Sequence, residues 1–206
     1  MNWLESLGNI EDLEDAELDA ELVAEFERRA DVAVSRPIRF STPTFKEYES
    51  TELEGCGKNS FPAFSITAAE CGLNCDHCQK KILEPMIPAT NPAMLDEKVR
   101  HLVATQELSG FLLSGGSNRK NEIPYGRYMP VIEQLKTDFP HLKVAVHTAL
   151  LDERRAKGME AAGVDTVMMD VIGAQETIEQ VYNLKRSVDD FEETLAALCS
   201  TSMEVT

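Results

Sequence analysis

The sequence lacks the long apolar runs that mark membrane spans and signal peptides. No stretch of its 206 residues approaches the roughly 20 consecutive apolar residues that cross a bilayer. The N-terminus, Met1-Asn2-Trp3-Leu4-Glu5, has neither the basic start nor the apolar segment of a secretory signal. These absences predict a cytoplasmic protein. A chain of this length is expected to form one ordinary domain with a sizeable core and not two large ones.

Basic residues are also scarce. The chain has 20 Lys and Arg against 36 Asp and Glu, which gives a formal net charge of −16. Binding to nucleic acid or to an anionic membrane relies on basic patches that neutralise phosphates or acidic headgroups. The composition therefore predicts that neither nucleic acid nor a membrane is a partner.

The acidic residues are concentrated near the N-terminus. Residues 1–31 contain eleven acidic and only two basic residues, which is more than half of the net charge. Apolar residues recur in this segment at near-helical spacing, at Leu13, Leu18, Leu22 and Phe26. We therefore expect an acidic helical leader over residues 1–35 and a loop-rich connector over residues 36–60. A solvated outer face explains the charge, and a docking surface for a basic partner is the alternative.

The remainder, residues 61–206, repeats one unit four times: an apolar strand, a loop with Gly, polar or Cys residues, and a helical segment. The repeats predict strands at 63–67, 110–113, 143–146 and 166–169, and helices at about 78–83, 129–137, 152–162 and 174–181. Such alternation indicates a parallel sheet covered by helices, which is the α/β class. Right-handed crossovers place all four strand-end loops at one edge, where the ligand sites of such folds gather.

The same rhythm predicts a last helix at about 188–198 and a fifth strand near Met203, where the sequence ends. Two architectures fit this pattern. One is an open sheet whose short last strand closes an edge, and the other is a barrel that stops early. The pattern alone leaves both open.

Five cysteines without a secretion signal disfavour a disulfide framework and favour metal ligation or thiol chemistry. Three of them, Cys71, Cys75 and Cys78, form a C-x3-C-x2-C motif after the first predicted strand. Gly72 and Asn74 tolerate left-handed conformations, so we expect them to curl the backbone around a metal centre.

Thiolates bind both iron–sulfur clusters and structural zinc. A closed zinc site needs four ligands. Three cysteines on a 4Fe-4S cluster leave one iron free for a substrate or cofactor. The motif therefore favours the cluster, and zinc or unmetallated cysteines are the alternatives. Of the two other cysteines, Cys56 is expected to be a loop thiol or a ligand of an auxiliary cluster, and Cys199 a core residue.

The Cys motif after an apolar strand resembles the signature of the radical S-adenosylmethionine (SAM) superfamily. Ser114-Gly115-Gly116, at the end of the second predicted strand, resembles the glycine motif whose backbone binds the amino group of SAM in that superfamily. The next residue there is often Glu, and Ser117 occupies that position here. The resemblance covers about residues 61–206.

Three further residues match positions that contact the cofactor in the superfamily. The residue before the third Cys is commonly aromatic and lies against the adenine, which implies that role for His77. Asp170 ends the fourth predicted strand, where the superfamily often contacts the SAM ribose or a substrate. His147 ends the third strand and faces the same edge, as a cofactor or substrate contact or as a structural histidine.

The resemblance implies a partial (βα) barrel of four to five parallel strands that lacks the C-terminal part of a full barrel. It implies a 4Fe-4S cluster on Cys71, Cys75 and Cys78, and a reaction that cleaves SAM to methionine and a 5′-deoxyadenosyl radical for C–H activation. The implied partners are SAM, a reducing electron donor, and an unknown substrate that is a small molecule or is bound to a carrier protein.

Within the superfamily, the sequence is most similar to the two-component lipoyl synthase-like proteins of archaea and anaerobes. The similar segments are 64–67, 113–116, 146–148, 162–165 and 170–173. This likeness implies a transferase that inserts sulfur, with a second radical SAM subunit to supply what this chain lacks. The alternative function is a non-catalytic module that binds a metal or a partner.

Overall fold

The computed structural model describes residues 60–206 except Asn74 and Glu107, together with Ala24. The expected leader over 1–35 and connector over 36–60, including Cys56, therefore lie outside the described residues apart from Ala24 and Ser60. Their boundaries stay predictions.

One parallel sheet forms the centre of the described part, in the strand order β2-β1-β3-β4-β5-β6. Every neighbouring pair of strands is parallel, so the carboxyl ends of all six strands meet at the same edge. The strands are β1 Ala63–Ser65, β2 Ile87–Pro88, β3 Gly110–Ser114, β4 Lys143–Thr148, β5 Thr166–Met169 and β6 Glu204–Val205.

Helices connect these strands. They are α1 Pro92–Thr105, α2 Met129–Asp138, α3 Glu153–Ala161, α4 Gln175–Gln180 and α5 Val188–Cys199, with short 3-10 helices at Lys81–Leu83 and Tyr125–Tyr128. Local side chains fix where three of them begin. Asn91 and Asp152 accept hydrogen bonds from the first-turn amides of α1 and α3, and Ser187 forms a reciprocal capping box with Asp190 at α5.

The core lies on both faces of the sheet. Phe64 of β1 and Phe111 of β3 are fully buried and pack edge to face, with ring centroids 5.7 Å apart. Strand β3 has four of its five residues buried, as expected for a central strand that is covered by helices on both faces. No described helix is long and apolar enough to cross a membrane.

The predicted α/β class is confirmed, and so are the four repeated strands and the last strand near Met203. The sheet has six strands because the two-residue strand β2 pairs beside β1, and neither β2 nor α1 was expected from the sequence. The helix predicted at about 78–83 is wrong. Gln79 and Lys80 have φ values of 48° and 67°, which interrupt an α-helix, and only a 3-10 turn follows them.

An ionic cluster closes the opposite, amino-terminal edge of the sheet. The carboxylate of Asp165, just before β5, lies 2.7 Å from Lys136 Nζ and 3.0 Å from Lys143 Nζ, and accepts a 2.8 Å hydrogen bond from the Val144 amide. Burial alone raises the pKa of Asp165, but these hydrogen bonds outweigh it and hold the pKa below its ordinary value. The ionised form therefore joins α2, β4 and β5.

Replacing Asp165 by Asn tests this cluster through the pH dependence of stability. A carboxyl whose pKa is lower in the folded state stabilises the fold above its unfolded pKa of about 4, and that stabilisation disappears at lower pH. Asp165→Asn should therefore be less stable than the parent at pH 7, and the gap should shrink toward pH 3. Urea unfolding at several pH values measures it. Glu133→Gln, an exposed site on α2, is the control, and a gap independent of pH would contradict the assignment.

Candidate functional site

The loops that follow β1, β3, β4 and β5 share the carboxyl edge of the sheet. The Cys motif follows β1, residues 114–117 end β3, His147 lies near the end of β4, and Asp170 follows β5. Each of these positions was predicted from the sequence to lie at this edge, and the parallel pairing of the strands places them there.

Two polar contacts join the start of the Cys motif to the loop after β3, and a third joins that loop to the end of the β1 region. The Ser117 carbonyl oxygen accepts a 2.7 Å hydrogen bond from the Gly72 amide and lies 3.7 Å from the Cys71 thiol. In the same region, the Gly116 amide donates a 2.7 Å hydrogen bond to Thr67 Oγ1, at the end of the β1 region. The segment from 70 to 72 is therefore fixed against residues 116 and 117.

These contacts require glycine at position 116 and leave little room for a side chain at position 72, because the backbones approach so closely. A Cβ on Gly116 would lie 2.0 Å from the Glu70 carbonyl oxygen and 2.6 Å from Cys71 Cα. A Cβ on Gly72 would lie 3.1 Å from the backbone of Ser117 and Arg119. The expected left-handed conformation of Gly72 is not found, since its φ is not positive. Gly72 serves close packing instead, and Asn74 lies outside the described residues.

The left-handed residues lie on either side of the Cys motif. Ala68 has a φ of 51° before it, and Gln79 and Lys80 have φ values of 48° and 67° directly after Cys78. Left-handed backbone costs a non-glycine residue about 1–2 kcal/mol. Such strained residues persist where the surrounding structure over-determines the backbone, and they cluster at functional sites. Here they bend the chain into and out of the loop that carries the thiols.

The three thiols of the motif lie within electrostatic range of one another. Cys75 is buried, at 5% exposure, whereas Cys71 and Cys78 are partly exposed. Burial is the main reason that the pKa of the Cys75 thiol rises to about 11, and the neighbouring Cys78 and Cys71 raise it further. A cationic iron–sulfur centre reverses this penalty, because thiolates then bind metal in place of protons.

The three thiols offer the donor type of an iron–sulfur cluster. In the described part of the chain, no three His, Cys, Asp or Glu side chains converge closely enough to hold one metal ion. In a 4Fe-4S cluster each thiolate would bind a different iron, whereas a closed zinc site needs four ligands on one ion. Three neighbouring thiols therefore match the cluster by their chemistry and number.

The other flank of the Cys motif contacts the turn after α4. The Asp76 amide donates a 3.0 Å hydrogen bond to the Val181 carbonyl oxygen, and the Cys75 thiol lies 3.8 Å from the carbonyl oxygen of Tyr182. The rings of His77 and Tyr182 are in contact, with centroids 4.7 Å apart and planes at 48°. Tyr182 was not predicted as a site residue, since it lies 104 positions after Cys78 in a stretch without a motif.

His147 and Asp170 form a polar pair across the ends of β4 and β5. His147 Nε2 lies 3.7 Å from Asp170 Oδ2. The polar contact with His147 lowers the pKa of Asp170 below its ordinary value, and His77 acts in the same direction while burial opposes it. The Asp170 side chain is 60% exposed, so solvent screens much of this effect. The His147 backbone is fixed by a 2.6 Å hydrogen bond from the Tyr125 hydroxyl.

The pKa of Tyr182 is affected both by the cysteines of the motif and by Asp170. Burial, together with the nearby Asp170, Cys75 and Cys78, raises the pKa of its hydroxyl to about 12. The hydroxyl is therefore neutral at physiological pH. Cys199, in contrast, is exposed at the end of α5, just before β6 begins, and so belongs to the opposite edge of the sheet. It is not the core residue that the sequence pattern predicted.

A parallel sheet with helices between its strands, and with thiols and a glycine turn at one carboxyl edge, defines the molecule as an α/β protein built like part of a (βα) barrel. Among solved structures, 26 chains are similar to it. One is the crystal structure of methylornithine synthase, which matches with a TM-score of 0.50 and 12% sequence identity over 71% of this chain.

The described chain spans 44% of the length of that methylornithine synthase. At 12% identity the comparison establishes a shared fold. No protein-family model matches the sequence, and no curated protein matches it.

Replacing Thr67 by Val tests the contact that ties the glycine turn to β1. Valine keeps the shape of the side chain but removes the acceptor of the Gly116 amide, a hydrogen bond worth about 1 kcal/mol. The Gly116 amide should then exchange with deuterium about five- to ten-fold faster, as measured by NMR. Thr137→Val on α2 is the matched control and should leave this amide unchanged. An unaltered Gly116 rate in Thr67→Val would show that the hydrogen bond does not hold the turn.

Proposed function

We propose that the chain is a radical SAM enzyme that holds a 4Fe-4S cluster on Cys71, Cys75 and Cys78. The observation that supports this proposal most directly is the contact between the Cys motif and the glycine turn, residues 114–117. Residues 71–72 pack against residues 116–117 so closely that Gly116 has no room for a side chain. Two segments 45 residues apart in sequence thus form one surface at the edge where ligands of such folds bind.

The fold comparison supports the architecture that this proposal needs, because the crystal structure of methylornithine synthase matches 71% of this chain with a TM-score of 0.50. The grouping of the implied ligands supports it independently. Cys71, Cys75 and Cys78 lie in one loop flanked by left-handed residues, and the partial exposure of Cys71 and Cys78 leaves an open side for a cofactor. This combination is unusual for structural cysteines, which are commonly buried in apolar surroundings and inert.

Each residue at the edge has a role in this proposal. The backbone of Ser114, Gly115, Gly116 and Ser117 approaches the amino group of SAM. His77 lies against the adenine, and the His147–Asp170 pair faces the ribose or the substrate.

A 4Fe-4S cluster held by Cys71, Cys75 and Cys78 would pass an electron from an external donor to SAM, and reductive cleavage of SAM would supply the chemistry for C–H activation. The protein's own task is to orient the two ligands and to exclude water.

A finer proposal is sulfur insertion of the lipoyl synthase type. A second cluster would need further ligands, and the exposed Cys199 lies at the opposite edge of the sheet from the Cys motif. Among the five cysteines this leaves Cys56, which is outside the described residues. We therefore propose that any sulfur-donating cluster is completed by a second radical SAM subunit, with a separate electron donor and a small or carrier-bound substrate.

Cys75→Ala tests the ligand assignment. Anaerobic reconstitution with iron and sulfide should give a brown parent protein with about four irons per chain, and dithionite with SAM should yield 5′-deoxyadenosine. Cys75→Ala should lose the absorbance and the product, and Cys199→Ala should keep both. Retained iron in Cys75→Ala would overturn the ligand assignment. A colourless parent protein with one zinc would favour the metal-binding module, and a brown protein that never cleaves SAM would exclude the catalytic proposal.

Gly116→Ala tests the contact between the Cys motif and the glycine turn. Its Cβ meets the Glu70 carbonyl oxygen and Cys71 at distances that real atoms do not reach, so the start of the Cys motif must move. We expect iron binding to fall by more than half while the circular dichroism of the sheet is kept. Gly126→Ala is the matched control, since its Cβ meets nothing within 4 Å. Equal iron content in the two variants would show that the glycine turn does not support the cluster site.

A further inference from the structure

The turn after α4 is the least expected part of the site. It follows β5, a strand that is three places from β1 in the sheet, yet it contacts three consecutive residues of the Cys motif. Its two carbonyl oxygens face the Asp76 amide and the Cys75 thiol, and the Tyr182 ring contacts His77. The β3 loop holds the start of the motif, and this turn holds its middle.

The backbone of the turn is itself well fixed. Tyr182 donates a 3.2 Å hydrogen bond from its amide to the Thr177 carbonyl oxygen of α4, and the Leu184 amide bonds to Ile178 at 3.0 Å. Between them Asn183 has a φ of 55°, which turns the chain sharply. Leu184 is 2% exposed and anchors the segment in the core. The Tyr182 ring is therefore presented from a rigid support.

His77, in contrast, has few other constraints. It is an exposed residue on an irregular loop, and the ring of Tyr182 is the aromatic group in contact with it among the described residues. An exposed side chain samples several rotamers, and ordering it at the moment of ligand binding costs free energy. A ring that already rests on a fixed neighbour avoids most of that cost.

We propose that Tyr182 is a positioning residue for the cofactor side of the site, because its ring holds the His77 imidazole in the orientation that receives the adenine. The effect of Tyr182 on cofactor binding rests on the proposed function, but the contact between the Tyr182 and His77 rings is a property of the protein itself. Tyr182 acts through His77 and does not itself touch the reacting atoms.

Two substitutions separate the ring from the hydroxyl group. Tyr182→Phe keeps the ring and removes the hydroxyl, whereas Tyr182→Leu keeps a shorter apolar side chain and removes the ring. The first measurement uses the metal-free protein at one fixed pH and follows the imidazole proton resonances of its four histidines by NMR. The His77 signals are assigned by their loss in His77→Asn. Circular dichroism checks the fold of each variant.

The His77 resonances should carry a ring-current shift in the parent and in Tyr182→Phe, and should lose it in Tyr182→Leu. In the reconstituted protein, Tyr182→Leu should raise the KM for SAM by about five-fold, the factor that corresponds to one aromatic contact. Its kcat should change by less than two-fold, and Tyr182→Phe should match the parent. A purely structural role would instead lower the iron content and kcat.

The outcomes distinguish the two proposals. Unchanged His77 resonances in Tyr182→Leu would overturn the positioning role, and so would a KM in Tyr182→Phe as poor as in Tyr182→Leu. If the NMR shift behaves as expected but the parent protein neither binds iron nor cleaves SAM, the contact between Tyr182 and His77 is supported and the proposed function fails. If SAM is cleaved and neither KM nor the resonances respond, the proposed function survives and this inference does not.

Discussion

The close approach of two backbones at the carboxyl edge is the constraint on which the rest of the site depends. Residues 70–71 and 116 come nearer than any side chain allows, and hydrogen bonds from residue 72 to 117 and from 116 to Thr67 hold them there. The parallel sheet makes this approach feasible, because β1 and β3 are neighbours and end together. The other residues of the site lie around this contact between residues 70–72 and residues 116–117.

The Cys motif continues from this backbone contact as a loop that is held at two points. The β3 loop fixes the first cysteine and the turn after α4 fixes the second, so the loop is held from two separate parts of the sheet edge. Left-handed residues before and after the motif supply the bends. The backbone thereby arranges the thiols, and burial, together with the neighbouring Cys78 and Cys71, raises the pKa of the Cys75 thiol.

Much of this was predictable from the sequence. The apolar runs of β1, β3, β4 and β5 alternate with helical segments, and that alternation suffices for the class of fold and for the edge at which the motifs meet. Strand β2 was not predictable, since two residues with a proline carry no periodicity. The prediction of a helix after Cys78 was wrong because nothing in the sequence indicates that Gln79 and Lys80 adopt left-handed conformations. Tyr182 was missed because its contact is tertiary and lacks a motif.

Ser117 contacts the Cys motif through its main chain. Its carbonyl oxygen receives the Gly72 amide and faces the Cys71 thiol, and neither contact involves its side chain. Any residue that leaves this carbonyl in place can make the same contacts with Gly72 and Cys71. Position 117 therefore tolerates substitution, whereas position 116 does not. A serine at this position, where the superfamily that the sequence resembles often has glutamate, is therefore compatible with the observed contacts.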